Sequence, residues 1–372
     1  MDTFRCSHDT SLSKEEKALF SGYLQRHGLS DNIWDLFEEW VSRSTPEVGF
    51  FYLKVHDGAD LVGLGLFLRI KPFDLRTSYA KLRGSGFPSK LGGAISALTN
   101  NCVYLSFRNL ITSNLSRPFF CRDTEMEQEV LGAMLRSLRG QSDADMVSIV
   151  DTALHDDLYR QEGFTKYPSS SEAYLDVTKY TDISQYLGEH RSLKKNLARR
   201  KKRVQTEIEA GPVSKVDRQE MMACVECSAG LSRVNNPCQQ FFEDNIWDTD
   251  VFNSDKYLHI RVRVDGRIAG FHIFQVCGSR MGGVLGGFNR DYTRNNFVYE
   301  RVIVASLDYA IQEHLERVQY SLVDNQTKLR LVESREPCGL YFYSSSRLNR
   351  KVFDLTYKFG DVYDLFLLES KG

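Results

Sequence analysis

The feature that most constrains this chain is a repeat. Residues 52–70 read YLKVHDGADLVGLGLFLRI, and residues 257–276 read YLHIRVRVDGRIAGFHIFQV. Each is an alternating apolar run, an Asp-Gly turn and a second apolar run that opens with a glycine. Alternation with period two buries one face of a strand. Asp-Gly between two such runs signals a hairpin, because both central residues of that turn favour positive φ. Aligning Gly63 with Gly270 sets Leu66-Phe67 against Ile273-Phe274, an offset of 270 − 63 = 207 residues. On this reading the first turn holds one extra residue.

The flanks of the two hairpins repeat as well. Upstream lie helix-like segments, Lys14–Arg26 and Asp31–Val41 in the first half, Asp217–Ala229 and Cys238–Ile246 in the second. Downstream, both halves run strand, loop, helix, strand: Val103–Ile111, Glu125–Leu138 and Met146–Val150, then Met281–Phe288, Phe297–Leu315 and Gln319–Val323. The first half carries an insertion at 71–100 that is rich in Gly, Ser and Lys. Helices before and between strands favour layered α/β domains over a bundle or a sandwich. The expected fold class is therefore α/β (α+β), with two tandem units, each a mixed twisted sheet flanked by helices. The boundary is expected at Val177–Thr178, giving units 1–177 and 178–372. Leu158–Phe164 and Ala173–Val177 would close the first, and a helical connector at 183–208 would open the second.

Composition fits this division. A chain of 372 residues is about twice the usual ~150 of one domain. With 48 Lys and Arg against 49 Asp and Glu, the net charge of −1 excludes a polybasic nucleic-acid binder as a whole molecule, though not a local basic patch. No stretch approaches the ~18 apolar residues of a membrane helix, and the polar MDTFRCSHDTSLSKEEK lacks a signal-peptide core. Eight scattered cysteines are too sparse for a disulfide scaffold. A soluble, cytoplasmic protein without membrane insertion is the expectation.

Three stretches carry a family resemblance: LYRQEGF with its following strand (158–177), SLKKNLARRKKRVQ (192–205), and DGRIAGFHIF, LGGFNRDYTRNN and SLVDNQTKLR within 265–330. Together they resemble the GNAT superfamily of acyltransferases, in its tandem-domain branch of Fem-type peptidyltransferases and bacterial acetyltransferase-like proteins. The resemblance is good over 150–345 and weaker in the N-terminal half. It implies an N-acyltransferase with an acyl-CoA donor, no metal, and an amine-bearing small molecule or peptide as acceptor. It also implies that two neighbouring parallel strands splay and that the donor's amides pair with a free strand edge. The donor's phosphates would sit at the N-terminus of the following helix. The matching strand is Met281–Phe288, with Gly283, Gly286, Gly287 and Phe288. Its glycines suit a ligand edge or a bulge equally. The helix entry offers Asn296 and Phe297, with Arg290, Arg294 and Arg301 as cations. NRDYTRNNFVYER (289–301) lacks the glycines that many acyl-CoA-using members carry here, and SNLSRPF (113–119) in the first half is no closer. This leaves aminoacyl-tRNA open as a Fem-type donor.

Acyl transfer to an amine needs a neutral amine, a stabilised oxyanion and a protonated leaving group. Asp324 follows the strand Gln319–Val323, where open α/β sheets bind ligands, and serves as a base or as an Asx turn with Asn325. Lys328 falls where Fem-type enzymes have a lysine that meets phosphate or developing charge. The glycine that often follows that lysine is delayed here to Gly339. Glu300 is an alternative base or a dipole partner in a first helical turn. His272 is a base or a sheet histidine. Tyr343, with Tyr341, is a proton donor or a core aromatic.

Residues 191–203 hold eight Lys or Arg, among them Lys194, Lys195, Arg199, Arg200, Lys202 and Arg203. Leu193, Leu197, Val204 and Ile208 form one apolar stripe beside them. The run is a tRNA or polyphosphate patch, or a solvated connector face. Cys224-x-x-Cys227 has no second pair at zinc-finger spacing, and GGVLGG is not followed by Lys-Ser/Thr, so metal and P-loop readings fail. A third class, a binding protein on the same fold without catalysis, remains open.

Overall fold

The computed structural model describes residues 4–73, 101–107, 118–141, 143–168, 172–199, 203–229, 255, 257–289, 291–292, 296–322, 330–332 and 334–359. In chain order the first half gives β1 (Phe4–Asp9), α1 (Lys14–Ala18), α2 (Ser21–Arg26), α3 (Asn32–Ser42), β2 (Val48–Asp57), β3 (Asp60–Phe73), β4 (Asn101–Ser106), β5 (Phe119–Cys121), α4 (Glu127–Arg139), β6 (Met146–Thr152), α5 (Asp156–Gln161), β7 (Thr165–Pro168) and β8 (Glu172–Asp176). The second half gives α6 (Ile183–Glu189), α7 (Arg191–Arg199), β9 (Val204–Ala210), α8 (Lys215–Ala229), β10 (Tyr257–Val264), β11 (Arg267–Cys277), β12 (Arg280–Phe288), α9 (Val298–Gln312), β13 (Arg317–Leu322), β14 (Ser334–Glu336), β15 (Cys338–Ser344) and α10 (Arg347–Phe359).

The repeat holds rung by rung. Val55 stands opposite Gly63, and Val262 opposite Gly270. Both hairpins then carry a bulge at the residue before that glycine, Val62 and Ala269. Asp57 pairs with Asp60 and Val264 with Arg267, so both turns have two residues and the first has no extra one. The Asp-Gly dipeptide is simply one step out of phase. Asp265 and Gly266 both take positive φ, as a type I′ turn requires, whereas the first turn uses Gly58 alone. The aligned glycines do the same task. A Cβ on Gly63 would stand 2.2 Å from Val130 of α4, and one on Gly270 would stand 2.6 Å from Val298 of α9. Each lets the helix of its unit lie against the sheet.

Two mixed sheets result, ordered β1-β2-β3-β4-β6-β15-β7, with β5 also on β3, and β14-β8-β13-β12-β11-β10-β9. Each contains a parallel pair of three rungs, β4 with β6 and β12 with β13. The halves exchange strands. Ala173–Val177, expected to close the first unit, contributes β8 to the second sheet, while β15 from near the C-terminus inserts between β6 and β7 of the first. Pairing partners are chosen by tertiary packing, which the local pattern does not encode.

Apolar alternation sorts the two sheet faces. Phe51, Leu53 and Val55 join α4, and Phe50 and Tyr52 join the other face. That second cluster continues from Trp34 and Phe37 into Tyr257, Phe271 and Ile273, so one apolar mass joins both units. The far face of the second sheet packs on α9 through Phe274, Met281 and Val318. The connector differs from the expected continuous helix: α6 and α7 are followed by β9, with Val204 and Ile208 in strand register against Val264 and Ile260. Two apolar residues four apart satisfy period two as well as a helical stripe. The segment Cys238–Ile246 and most of the insertion at 71–100 lie outside the described residues.

Candidate functional site

The second sheet opens at its parallel pair. β12 and β13 hydrogen-bond from Arg280↔Arg317 to Gly282↔Gln319, and β12 then runs on to Phe288 without further rungs on that side among the described residues. On its other side β12 pairs with β11 throughout, with Val284 as a bulge between the rungs Ile273↔Leu285 and Phe274↔Gly283. The expected bulge is thus present, and the opposite edge of the same strand carries no rungs beyond Gly282 among the described residues. A bulge turns backbone groups away from the ladder, which is useful beside a site.

The glycines of β12 have an internal reason. A Cβ on Gly283 would stand 2.3 Å from His272 Nε2, and one on Gly286 3.3 Å from the same ring. A Cβ on Gly287 would stand 2.7 Å from the backbone nitrogen of Val225 in α8. His272 is buried and stacked on Phe274 with ring centroids 4.4 Å apart. The glycines therefore seat an imidazole and a helix, and the wedge edge itself belongs to the backbone. Phe288 closes the upper end against Tyr299, centroids 5.1 Å apart.

At the mouth, α9 begins from Phe297 in the left-handed region (φ 55°, ψ 41°), with no side chain capping it. The first amides of a helix have no partner inside it and carry its positive dipole end. Asn296 does not cap: its Nδ2 donates to Tyr292 O at 3.0 Å. Arg301 bridges, donating from Nε to Asn296 O (3.2 Å) and from Nη2 to Leu197 O (2.9 Å). It thereby takes an orphan carbonyl at the end of α7 and docks the basic helix beside the mouth. Burial raises the Glu300 carboxyl above its ordinary value, against its own backbone N–H and the charges of Arg330 and Arg301.

The structure brings His272 against Gly283 and Gly286, and Phe288 against Tyr299 of α9, the helix that starts after Phe297 and carries Glu300 in its first turn. It separates Tyr343, which lies on β15 opposite Val147 in the first sheet, its ring 5.5 Å from Phe164. Lys194, Lys195 and Arg199 are exposed while Leu193 of the same helix is buried. Arg203 is engaged with Asp265 through two contacts, 2.5 and 3.1 Å. Asp324, Lys328, Arg290, Arg294, Arg200 and Lys202 lie outside the described residues.

Sequence reasoning missed the polar groups at the apex of the wedge, Gln319 and Arg280. Gln319 is fully buried between Val318 and Tyr320. A glutamine inside an otherwise apolar strand is the sequence signal that marks it. Among the described residues no group of three or more His, Cys, Asp or Glu side chains is arranged to hold a metal ion. No helix among them is long and apolar enough to cross a membrane.

No family model matches this sequence, and no curated protein matches it. Solved structures do. A tandem GNAT protein from the clavulanic acid biosynthesis pathway, solved without AcCoA, is 10% identical, with 92% of this chain and 99% of that one covered and a TM-score of 0.54. FemX is 11% identical over 94% of this chain and 100% of its own, TM-score 0.54. The structure of L-PGS from Bacillus licheniformis is 11% identical over 92% and 96%, TM-score 0.52. At such identity these likenesses speak to the fold, and the fold of this chain is the tandem GNAT-like one.

Proposed function

We propose that this tandem GNAT-like chain is an N-acyltransferase that works in the wedge of its second unit. The observation that carries the reading is the three-rung parallel pair of β12 and β13 that parts after Gly282↔Gln319. A strand edge left without rungs is a template for a ligand that carries amides. Coenzyme A thioesters have such amides, and an acyl thioester is the donor the arrangement suits best. The backbone of Gly283–Phe288 would hold it, and the uncapped amides at the start of α9 suit its phosphates.

In the reaction proposed, the amine nitrogen attacks the donor carbonyl. A C–N bond forms, the bond to sulfur breaks, one proton leaves the nitrogen and the thiol departs protonated. Asp324 is proposed as the proton acceptor and Lys328 as the cation that meets the developing charge. Glu300 is the alternative base, since burial favours its neutral form and brings its titration closer to neutral pH. The first unit is proposed as scaffold and substrate wall.

Aminoacyl-tRNA is a second candidate donor, favoured by one contact: Arg301 ties α7, with exposed Lys194, Lys195 and Arg199, to the mouth of the wedge. Calorimetric titration with coenzyme A separates the two. Saturable binding supports the thioester donor, and turnover by Lys328→Ala at the native rate would remove that residue's role. No heat in a folded sample would favour charged tRNA, whose binding would weaken steeply with salt and with loss of the α7 cations.

A further inference from the structure

The apex of the wedge holds polar groups that the fold itself does not satisfy. Gln319 is 0% exposed, and neither its Oε1 nor its Nε2 has a hydrogen-bond partner among the described residues. The buried Nη1 of Arg280 also lacks one. Native proteins pair almost every such atom with protein, water or ligand. One orphan would be an irregularity, but these two share a location.

They lie on one face of the sheet. Gln275, Gly282, Gln319 and Tyr174 are directly opposite one another across four strands. Arg280 is two residues before Gly282, so its side chain leaves the same face. Gly282, in the middle of the row, places no side chain of its own on this face. Neighbouring strands are about 4.8 Å apart and two residues along a strand span about 6.6 Å. A guanidinium and a carboxamide rooted so close can meet the same small molecule.

This face also carries Phe271, Ile273 and Cys277, which pack towards the first unit, so the row faces the other half of the molecule. Arg280 is pressed there by Gly28, where a Cβ would be 3.1 Å from its Nε. Its neighbour Arg317 is already occupied, lying 3.9 Å from the Tyr174 ring centroid and 3.6 Å from a Glu336 carboxylate. Arg280 makes no ion pair among the described residues. It does feel the negative fields of Glu336, Glu172 and Glu316, although burial and Arg317 dominate its surroundings. The donors available are thus Arg280 Nη1 and Gln319 Nε2, the acceptor is Gln319 Oε1, and the field is mixed in sign. A bare anion leaves the acceptor unmet, and a bare amine leaves the two donors unmet.

We infer that Gln319 and Arg280 form a recognition pocket for a carboxylate that carries an N–H on its α-carbon, as in an α-amino acid or the C-terminal residue of a peptide. The carboxylate takes Arg280 Nη1 and Gln319 Nε2, and the N–H donates to Gln319 Oε1. The splayed edges of β12 and β13 lead to this point. The inference rests on the acyltransferase reading in naming the acceptor's end of the wedge.

The test is calorimetry on the full chain with glycine, N-acetylglycine and glycine methyl ester, comparing wild type with Gln319→Leu and Arg280→Met. Gln319→Leu is of comparable volume and removes both orphan atoms, so it should fold at least as well. The expected result is binding of glycine or N-acetylglycine by wild type, at least about tenfold weaker in either variant, with no binding of the ester. Glycine alone would identify a free amino acid, and N-acetylglycine alone a peptide C-terminus. Equal affinity in Gln319→Leu, or binding of the ester as tight as the acid, overturns the pocket and leaves ordered water as the partner of these atoms. Coenzyme A is titrated in parallel. A wild type that binds coenzyme A but none of the three probes defeats this inference alone. Carboxylate-dependent binding without coenzyme A binding upholds the pocket and defeats the thioester reading.

Discussion

At the scale of single residues, the imidazole of His272 and the glycines of β12 are one device. Gly283→Ala puts a Cβ where His272 Nε2 already sits, and the ring cannot swing away because it is stacked on Phe274. Overpacking of this kind costs about 1–3 kcal/mol. The expected outcome in urea unfolding is a loss of that size for Gly283→Ala, partly relieved in the double variant with His272→Ala, since neighbours in contact are not additive. Strict additivity would mean that the two do not share the space. Glu300 makes a different demand. Burial raises its carboxyl from the usual 4.5, so the folded state holds that proton to higher pH than the unfolded chain does. Its contribution is neutral below the unfolded value. It then turns against folding as pH rises through the window up to the folded value, because there the native state binds more protons. Glu300→Gln should therefore match wild type in thermal unfolding near about pH 4 and become the more stable protein by about pH 7. A constant difference between them across that range would show that the carboxyl titrates normally.

At the scale of elements, the hairpins were the most legible part of the chain, because period two and turn chemistry are local. Even there the Asp-Gly dipeptide misled by one position. Both turns have two residues and the same bulge follows each, at Val62 and Ala269; the dipeptide shifts because the first turn places Gly58, and the second Asp265, at its first position. The strand glycines suited a ligand edge or a bulge alike, and sequence carried no sign that they also admit the close internal approach of His272 and α8. The basic helix was legible as a helix, but its role as a docked element depends on Arg301, which sequence offered only as a loose cation. That side chain gives two hydrogen bonds to carbonyls, one on each side of the α7–α9 contact. Arg301→Met keeps the stem and removes both. The expected loss is about 2 kcal/mol, and hydrogen exchange should quicken selectively in Arg191–Arg199. Unchanged protection there would mean that Leu193 and Leu197 hold α7 without the bridge.

At the scale of the whole molecule, the two units are alike in plan but not separable. The duplication is readable because each copy repeats its local pattern. The exchange of strands is not, since Ala173 and Leu175 alternate in β8 just as they would in either sheet. β15 makes seven rungs with β6 and four with β7, and it brings Tyr341 to within 3.7 Å of Tyr159, centroid to centroid. Without it, β7 has no neighbour in the sheet and β6 becomes an open edge. In the other direction β8 lies between β13 and β14, and its loss exposes β13. Open, apolar edges of this kind pair with other chains. Fragments 1–177 and 178–372 expressed apart should therefore aggregate or remain unfolded, whereas co-expression should yield a stable pair in equal amounts. The intact chain, with one apolar cluster running through both units, should unfold in a single transition by two independent probes. A well-dispersed amide spectrum from either fragment alone would mean that its sheet closes without the borrowed strand. The two units would then have to be treated as independent domains, and a pocket between them would lose its main support.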